Sequence, residues 1–279
     1  MSDSMSNHRP LWVAFVMLAL SATSPVPASA QSKPSGASTA PSAQTGGAAL
    51  TGALRWADSA SRVIDRGVIR NDTTAVLQGI AIVDRALTAF PEHFLLTHYR
   101  GYAAYRLGQM AGVRKQANVA RAHYEDAVKW LDRSIAAQPI AESHALRASC
   151  LGQLIGGSMI RGMRLGPQAN DAVDKARLLD KDNPRMLLLD AIGAWYKPSM
   201  FGGGKDKARA AMQRALAAFA ADTPAPAYPS WGYAEALAWH GQWEQEAGRG
   251  AAARAAYERA LELEPEYGWV KYVLLPAVR

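Results

Sequence analysis

Apolar and small residues recur every three to four positions along most of the chain after residue 50, and no run of useful length alternates with the period of two that marks a strand. This spacing predicts amphipathic helices, and the intervening turns predict that the helices form antiparallel pairs. The predicted fold class is therefore all-α. Residues 267–278 are predicted to form a last helix that covers the open end of the stack. The predicted pairs are 54–66 with 73–90, 94–107 with 124–139, 141–155 with 168–179, 185–196 with a helix containing 208–215, and the two helices of 234–267.

The segment Ala234–Tyr267 carries the clearest pattern. Counted from Ala234, glycine or alanine stands at positions 8, 15, 20 and 27, tyrosine stands at 24 and proline stands at 32. Small residues at 8, 20 and 27 allow two antiparallel helices to approach closely, and the proline ends the second helix. The segment resembles a tetratricopeptide repeat (TPR), a unit of about 34 residues.

The resemblance implies a right-handed solenoid of about five antiparallel helix pairs over residues 50–279, with a C-terminal capping helix. Segments 161–185 and 195–217 also resemble exported bacterial TPR proteins without an assigned function, which implies a binding or assembly role in the cell envelope. Two insertions depart from the pattern. Residues 109–122 are expected to extend the flanking helices or to form a basic loop, and residues 156–166 are expected to form a loop.

The first residues of the chain predict export. Arg9 precedes an apolar run over residues 11–20, and a small-residue motif ends at Ala30, so residues 1–30 are predicted to be a signal peptide cleaved after Ala30. A membrane anchor is disfavoured because a spanning helix needs roughly 20 apolar residues, so no stable membrane insertion is expected after cleavage. Residues 31–49 lack large apolar side chains and are predicted to be a disordered linker. The mature chain is therefore expected to be periplasmic or secreted.

Few patterns in the sequence favour catalysis. The glycine-rich segment before Lys205 lacks the spacing of a phosphate-binding loop, and no metal-binding helix motif is present. The single Cys150 lies in an apolar helical context that is typical of a buried side chain. We therefore expect a protein that is not an enzyme and needs no cofactor or metal. Export argues against nucleic acid as a partner, and the segment 106–121 has too few large apolar residues for a membrane-surface helix.

TPR proteins bind partners on the concave face that the first helix of each pair forms, and the resemblance assigns candidate groove residues on that basis. The net charge is +7, and no acidic residue occurs in 93–124 or 143–170, so this face is expected to be basic. Two alternatives stay open, in which the tyrosines pack in the core and the arginines are solvated over apolar surface. The candidate groove residues are His98, Tyr99, Tyr102, Tyr105, Arg106, Arg147, Arg185, Trp195, Tyr196, Trp239 and Gln242.

The leading hypothesis is a non-enzymatic adaptor or assembly protein of the cell envelope, whose aromatic, basic groove binds a protein or peptide partner, with acidic peptides as candidates. The alternative is a small-molecule or anionic-polymer binding module, such as the solute-binding helper of a transport system. In that case the insertions 109–122 and 156–166 close the groove into a pocket. A third hypothesis is an accessory domain of an enzyme whose catalytic residues lie on a partner. An open groove across several repeats favours the first hypothesis, and an enclosed cavity favours the second.

Overall fold

A computed structural model describes residues 43–199 and 202–278, and within them the chain is helical with no strand. Helices of each pair pack against each other, and each pair contacts the next. The predicted all-α, TPR-like solenoid of about five helix pairs is therefore confirmed. The ten helices of the described residues are α1 (Ala43–Arg70), α2 (Thr73–Ala89), α3 (Phe94–Val113), α4 (Ala117–Ala137), α5 (Ala141–Ile155), α6 (Met159–Leu179), α7 (Pro184–Tyr196), α8 (Lys205–Ala220), α9 (Tyr233–Glu246) and α10 (Gly250–Leu263).

Small residues at the predicted repeat positions allow the two helices of a pair to touch. A Cβ atom added at Gly241 in α9 would lie 2.4 Å from Cε1 of Tyr257 in α10. A Cβ atom added at Gly101 in α3 would lie 2.7 Å from Cγ of Leu131 in α4. Both distances are shorter than a carbon–carbon contact allows, so these glycines set the spacing within their pairs.

Several helices begin at a residue whose side chain caps the free backbone N–H groups of the first turn. The Asp72 carboxylate accepts hydrogen bonds from the backbone N–H groups of Thr74 and Ala75, at 2.9 and 3.2 Å. Asn183 caps α7 in the same way, and Pro184 occupies the first helical position, where its missing N–H has no cost.

The structure differs from the prediction at three places along the chain. The segment 156–166 is not a loop, because only residues 156–158 lie outside helices and α6 begins at Met159 and continues through Pro167. Of the two forms predicted for segment 109–122, extended helices or a basic loop, the structure has extended helices. Both α3 and α4 continue into the segment, and a turn at 114–116 joins them. Helix α1 begins at Ala43, so the last seven residues of the predicted linker, 43–49, are helical. The predicted signal peptide and the rest of that linker lie outside the described residues.

The C-terminal segment folds back onto the first repeat. Residues 268–277 are helical, as predicted, but the helix is irregular, with a π-helical turn, Val270–Leu274, followed by a 3₁₀ turn, Leu275–Ala277. The Arg70 guanidinium at the end of α1 donates to the Glu266 carboxylate, and Ile69 packs into the apolar cluster of the C-terminal repeat. The two ends of the stack are therefore in contact. No helix within the described residues has both the length and the apolar composition that crossing a bilayer requires.

Candidate functional site

The face on which the candidate groove residues were predicted is filled by the chain itself. Residues 221–232 connect α8 to α9 and run across the inner helices. The Tyr99 hydroxyl donates to the backbone carbonyl of Ala227 at 2.9 Å, and the ring of Tyr102 stacks on Trp231 with centroids 5.1 Å apart. We call residues 221–232 the connector. Its contacts with α3 are of the kind that a bound peptide would make.

Arg106 fixes the end of the connector and the start of α9 to α3. Its guanidinium donates to both carboxylate oxygens of Glu235, at 3.0 and 2.6 Å, and lies 5.1 Å from the ring centroids of both Tyr102 and Trp231. The side chain is buried, with 4% of the residue surface exposed. The positive charge expected on the inner face is neutralised here by a carboxylate from the same chain.

Arg185 fixes the beginning of the connector in a similar way. Its guanidinium is almost completely buried, forms an ion pair with Asp222 and lies 5.8 Å from the ring centroid of Phe219. A buried guanidinium is stable only when such partners replace its water. Arg185 therefore supports the connector from α7 and is closed to an outside partner.

The histidine and tyrosine side chains on the inner side of α3 are held in neutral forms by burial. Nδ1 of His98 lies 2.9 Å from Oγ of Ser143, and burial, assisted by the charge of Arg185, lowers the pKa of His98 to about 3. Burial also raises the pKa of the Tyr99, Tyr102 and Tyr105 hydroxyls well above their ordinary values. Of the two alternatives for the tyrosines, core packing is what this structure shows: all three lie in the core, where no open groove exposes them.

The remaining candidate residues are partly or fully buried. Arg147 pairs with Asp132 and stands apart from the others. Trp195 stacks on Trp243 with ring centroids 4.3 Å apart, and Tyr196 meets Trp239 edge to face at 6.3 Å. The structure brings together three of the eleven candidates, Arg106, Trp239 and Gln242, at one cavity.

This cavity has a volume of about 860 Å³ and lies where the two ends of the stack meet. Its walls come from the end of α1, the last turns of α3, the inner side of α9 and the C-terminal segment. The wall is mainly apolar, and four aromatic side chains contribute to it. The apolar and aromatic part of the lining includes Met110, Val113, Trp239, Tyr267, Trp269 and Tyr272.

Two buried polar atoms belong to residues that line the cavity. Nε of Arg106 and Oε1 of Gln242 have no hydrogen-bond partner within the part of the chain that the structure describes. The two carboxylates of the wall, Glu235 and Glu266, are paired with Arg106 and Arg70, whereas Lys271 has no carboxylate within 4.0 Å among the described residues. The cavity therefore combines apolar aromatic walls with one cation at its edge, and the two unpaired polar atoms lie buried behind that wall.

Most of this cavity could not be identified from the sequence. The residues from 68–71 and 267–274 carry no motif and are about 200 positions apart, a distance that separates the first repeat from the last. Only the closure of the stack brings them together. A metal site is not indicated in the described residues, since no group of three or more histidine, cysteine, aspartate or glutamate side chains there is arranged to hold an ion.

A smaller cavity of about 380 Å³ lies between the pairs α5/α6 and α7/α8. Lys197 and Lys207 contribute to its wall, and burial lowers the pKa of Lys197. None of the eleven candidate residues lines it.

Comparison with known proteins supports the fold. No family model matches the sequence, and no curated protein matches it. Among solved structures, the HusA haemophore from Porphyromonas gingivalis is similar to this chain with a TM-score of 0.54 and 24% identity, over 66% of this chain and 92% of that chain. TTC0263, a thermophilic TPR protein of Thermus thermophilus, is similar with a TM-score of 0.47 and 18% identity, over 76% of this chain and 95% of that chain. The similarity to HusA is one of fold, and it agrees with the all-α architecture of paired helices described above.

Proposed function

We propose that this protein is an exported, non-enzymatic binding protein that holds a small, largely apolar ligand in the cavity between its two ends. The observation that carries the proposal is the cavity itself. Its volume of about 860 Å³ lies within the range of roughly 300–1,000 Å³ that small-molecule sites occupy. Its aromatic walls and few buried polar groups are also typical of such sites.

The occupied inner face favours this function over the leading hypothesis from the sequence. A peptide bound along α3 would have to displace the connector, and with it the hydrogen bond from Tyr99 and the stacking of Trp231 on Tyr102. It would also have to separate the buried Arg106–Glu235 pair, which costs several kcal/mol when one charge is left without a partner. Binding of a polypeptide on this face stays a prediction, and the binding free energy would have to offset the loss of these contacts.

The chemistry of the wall favours a planar ligand that carries an acidic group. The rings of Trp239, Trp269 and Tyr272 provide faces and edges for stacking against a ring system. The ammonium group of Lys271, which has no carboxylate partner among the described residues, suits a carboxylate of the ligand.

A porphyrin is the first ligand of this class to test, because the similar HusA is a haemophore. No histidine or cysteine lines the cavity within the described residues. Three other side chains of the wall are of types that can ligate iron, namely Tyr267, Met110 and Tyr272. Burial raises the pKa of the Tyr267 hydroxyl well above its ordinary value, so it stays a neutral phenol, and Sδ of Met110 accepts a hydrogen bond from the Thr73 hydroxyl at 3.8 Å. Tyr272 is 73% exposed at the edge of the cavity. We therefore propose that the ring and the carboxylates of such a cargo are recognised, with little contribution from iron ligation.

The test is a titration of the purified protein with protoporphyrin IX and with haem, followed by quenching of tryptophan fluorescence. Val113 has 62% of its surface exposed and lines the cavity, so Val113→Trp is expected to narrow the site without disturbing the core. Val119→Trp is the matched control, because Val119 is 47% exposed at the start of the next helix and does not line the cavity.

We expect both porphyrins to bind the parent protein with affinities within about tenfold of each other, a difference of about 1.4 kcal/mol. Val113→Trp should weaken both by at least about tenfold, and Val119→Trp should leave both unchanged. Equal binding by the parent and Val113→Trp would show that the cavity is not the site. Tight binding of haem without binding of the metal-free ring would refute recognition through the ring.

A further inference from the structure

One edge of the helix stack exposes apolar side chains beside cations. The first helix of every pair runs in one direction and the second returns, so the turns within pairs all lie at the same edge. At two neighbouring pairs this edge consists of residues 112–121, around the α3–α4 turn, and residues 156–164, around the α5–α6 turn. We call these two segments the basic edge.

Large apolar side chains are concentrated on the basic edge. Five of the twelve large hydrophobic residues that are exposed in the described part of the chain lie in its two short segments. Ile160 has 77% of its surface exposed at the first turn of α6. Contiguous apolar surface on a soluble protein indicates an interaction site. The five residues are Val113, Val119, Met159, Ile160 and Met163.

The cations of the basic edge have no acidic partners. Within the described residues, no carboxylate lies within 4.0 Å of the side-chain nitrogens of Arg114, Lys115, Arg121 or Arg164. The cause is in the sequence, since residues 93–124 and 143–170 contain no aspartate or glutamate. The turns between pairs, at the opposite edge, contain Glu92, Asp180 and Asp182 instead. Glu92 and Asp182 are paired with cations, whereas the cations of the basic edge have no such partners, so unpaired positive charge distinguishes the basic edge.

We propose that the basic edge binds the surface of an anionic lipid bilayer. Unpaired cations are attracted to anionic headgroups, and each such cation near the surface raises the affinity about fivefold. Methionine and isoleucine side chains that project from a helical turn can enter the boundary between headgroups and acyl chains. A polypeptide partner is less favoured because these side chains project outward at turns, whereas peptide recognition uses a groove or a free sheet edge. The proposal does not depend on a ligand in the cavity.

The experiment measures flotation of the purified protein with vesicles of phosphatidylcholine and with vesicles of equal parts phosphatidylcholine and phosphatidylglycerol. The test variant replaces Met159, Ile160 and Met163 by serine. The matched control is Leu178→Ser, because Leu178 is 87% exposed on the same helix near the opposite edge. Both variants change exposed side chains, so circular dichroism and thermal unfolding should match those of the parent.

The parent protein and Leu178→Ser should bind the anionic vesicles at least about tenfold more tightly than the neutral ones, and added salt should weaken this binding. The triple serine variant should lose at least about tenfold in affinity for the anionic vesicles. A second variant, Arg121→Gln with Arg164→Gln, should lose roughly 25-fold if each cation contributes about fivefold. Failure of the parent to float with anionic vesicles overturns the proposal, as does unchanged binding by the triple variant. A different outcome would assign the edge to a protein partner. In that outcome the parent protein does not bind vesicles but associates with itself or with an acidic polypeptide, and the triple serine variant loses this association while Leu178→Ser keeps it.

Discussion

Substitution of Gly241 by alanine tests whether close contact between helices determines the repeat pattern. The added Cβ atom would lie 2.4 Å from Cε1 and 2.7 Å from Cδ1 of Tyr257, and 3.1 Å from the backbone carbonyl oxygen of Ala253. The tyrosine ring has little room to move, because it is fully buried and its hydroxyl donates to Gln245 at 3.1 Å. Overpacking of this kind costs about 3 kcal/mol, and the better helix propensity of alanine offsets about 1 kcal/mol. We expect a net loss of about 2 kcal/mol in the free energy of unfolding.

Gly193→Ala is the matched control within the same repeat stack. Gly193 is also inside a helix, but a Cβ atom added there meets nothing within 4 Å, so its substitution should stabilise the protein by up to about 1 kcal/mol. Thermal unfolding followed by circular dichroism distinguishes the two, since about 2 kcal/mol lowers the Tm of a chain of this size by roughly 4–8 °C. If Gly241→Ala is as stable as Gly193→Ala, the contact with Tyr257 does not explain the glycine, and the reasoning is wrong.

Three further predictions concern buried ionisable groups. Burial raises the pKa of Asp65 from 3.8 to about 6 despite a hydrogen bond from Tyr102, so between these values the folded state holds a proton that the unfolded state has lost, and stability falls as pH rises. Asp65→Asn should remove this fall and add about 3 kcal/mol at pH 7 but little at pH 4, as measured by urea unfolding at both pH values. Glu235→Ala leaves Arg106 charged and unpaired, so it should lower the free energy of unfolding by about 3 kcal/mol. The double variant Glu235→Ala with Arg106→Met should recover most of that loss in urea unfolding, and additive losses from the two substitutions would contradict this. Cys150 is fully buried and burial raises the pKa of its thiol, so a thiol reagent should react with it only as fast as the protein opens, and labelling at the rate of a free cysteine would contradict this.

The repeat architecture could be predicted from the sequence because it depends on local spacing. The glycine at position 8 and the tyrosine at position 24 of the last repeat are 16 residues apart, and the structure brings Gly241 and Tyr257 into contact as the repeat pattern requires. The extension of α3 and α4 was one of two predicted forms for the same reason, since helical periodicity continues through most of residues 109–122.

The loop predicted at 156–166 is wrong because most of this segment is compatible with a helix. Within 156–166, only Gly156 and Gly157 adopt positive φ angles, and they end α5 before Ser158 caps α6. Pro167 lies inside α6, where tertiary context overrides its low helix propensity. With a loop predicted at 156–166, the exposed apolar side chains of the first turn of α6, which belong to the basic edge, could not be predicted to lie on a helix.

The occupied inner face could not be predicted because it depends on contacts between distant parts of the chain. The aromatic positions of α3 match those of a binding groove, and the same residues serve equally well to bind a segment of their own chain. Tyr99 and Ala227 are 128 residues apart, and no local signal in the proline-rich connector indicates where it will pack. A pattern of groove residues therefore predicts that a polypeptide segment is bound there, and that segment can be a long connector from elsewhere in the same chain.

The inner face and the cavity share the contact that closes the stack. Arg106 pairs with Glu235 beneath the connector, and both residues line the cavity, so the contact that closes the groove also forms one wall of the site. The opposite wall comes from the C-terminal segment, which is attached to α1 through the exposed ion pair between Arg70 and Glu266. An exposed pair contributes little to stability, so the apolar contact of Ile69 with the C-terminal repeat carries most of this attachment. A ligand that contacts both walls binds only the closed form and must stabilise closure by its own binding free energy. Ligand binding and protection of the C-terminal segment from hydrogen exchange should therefore rise together.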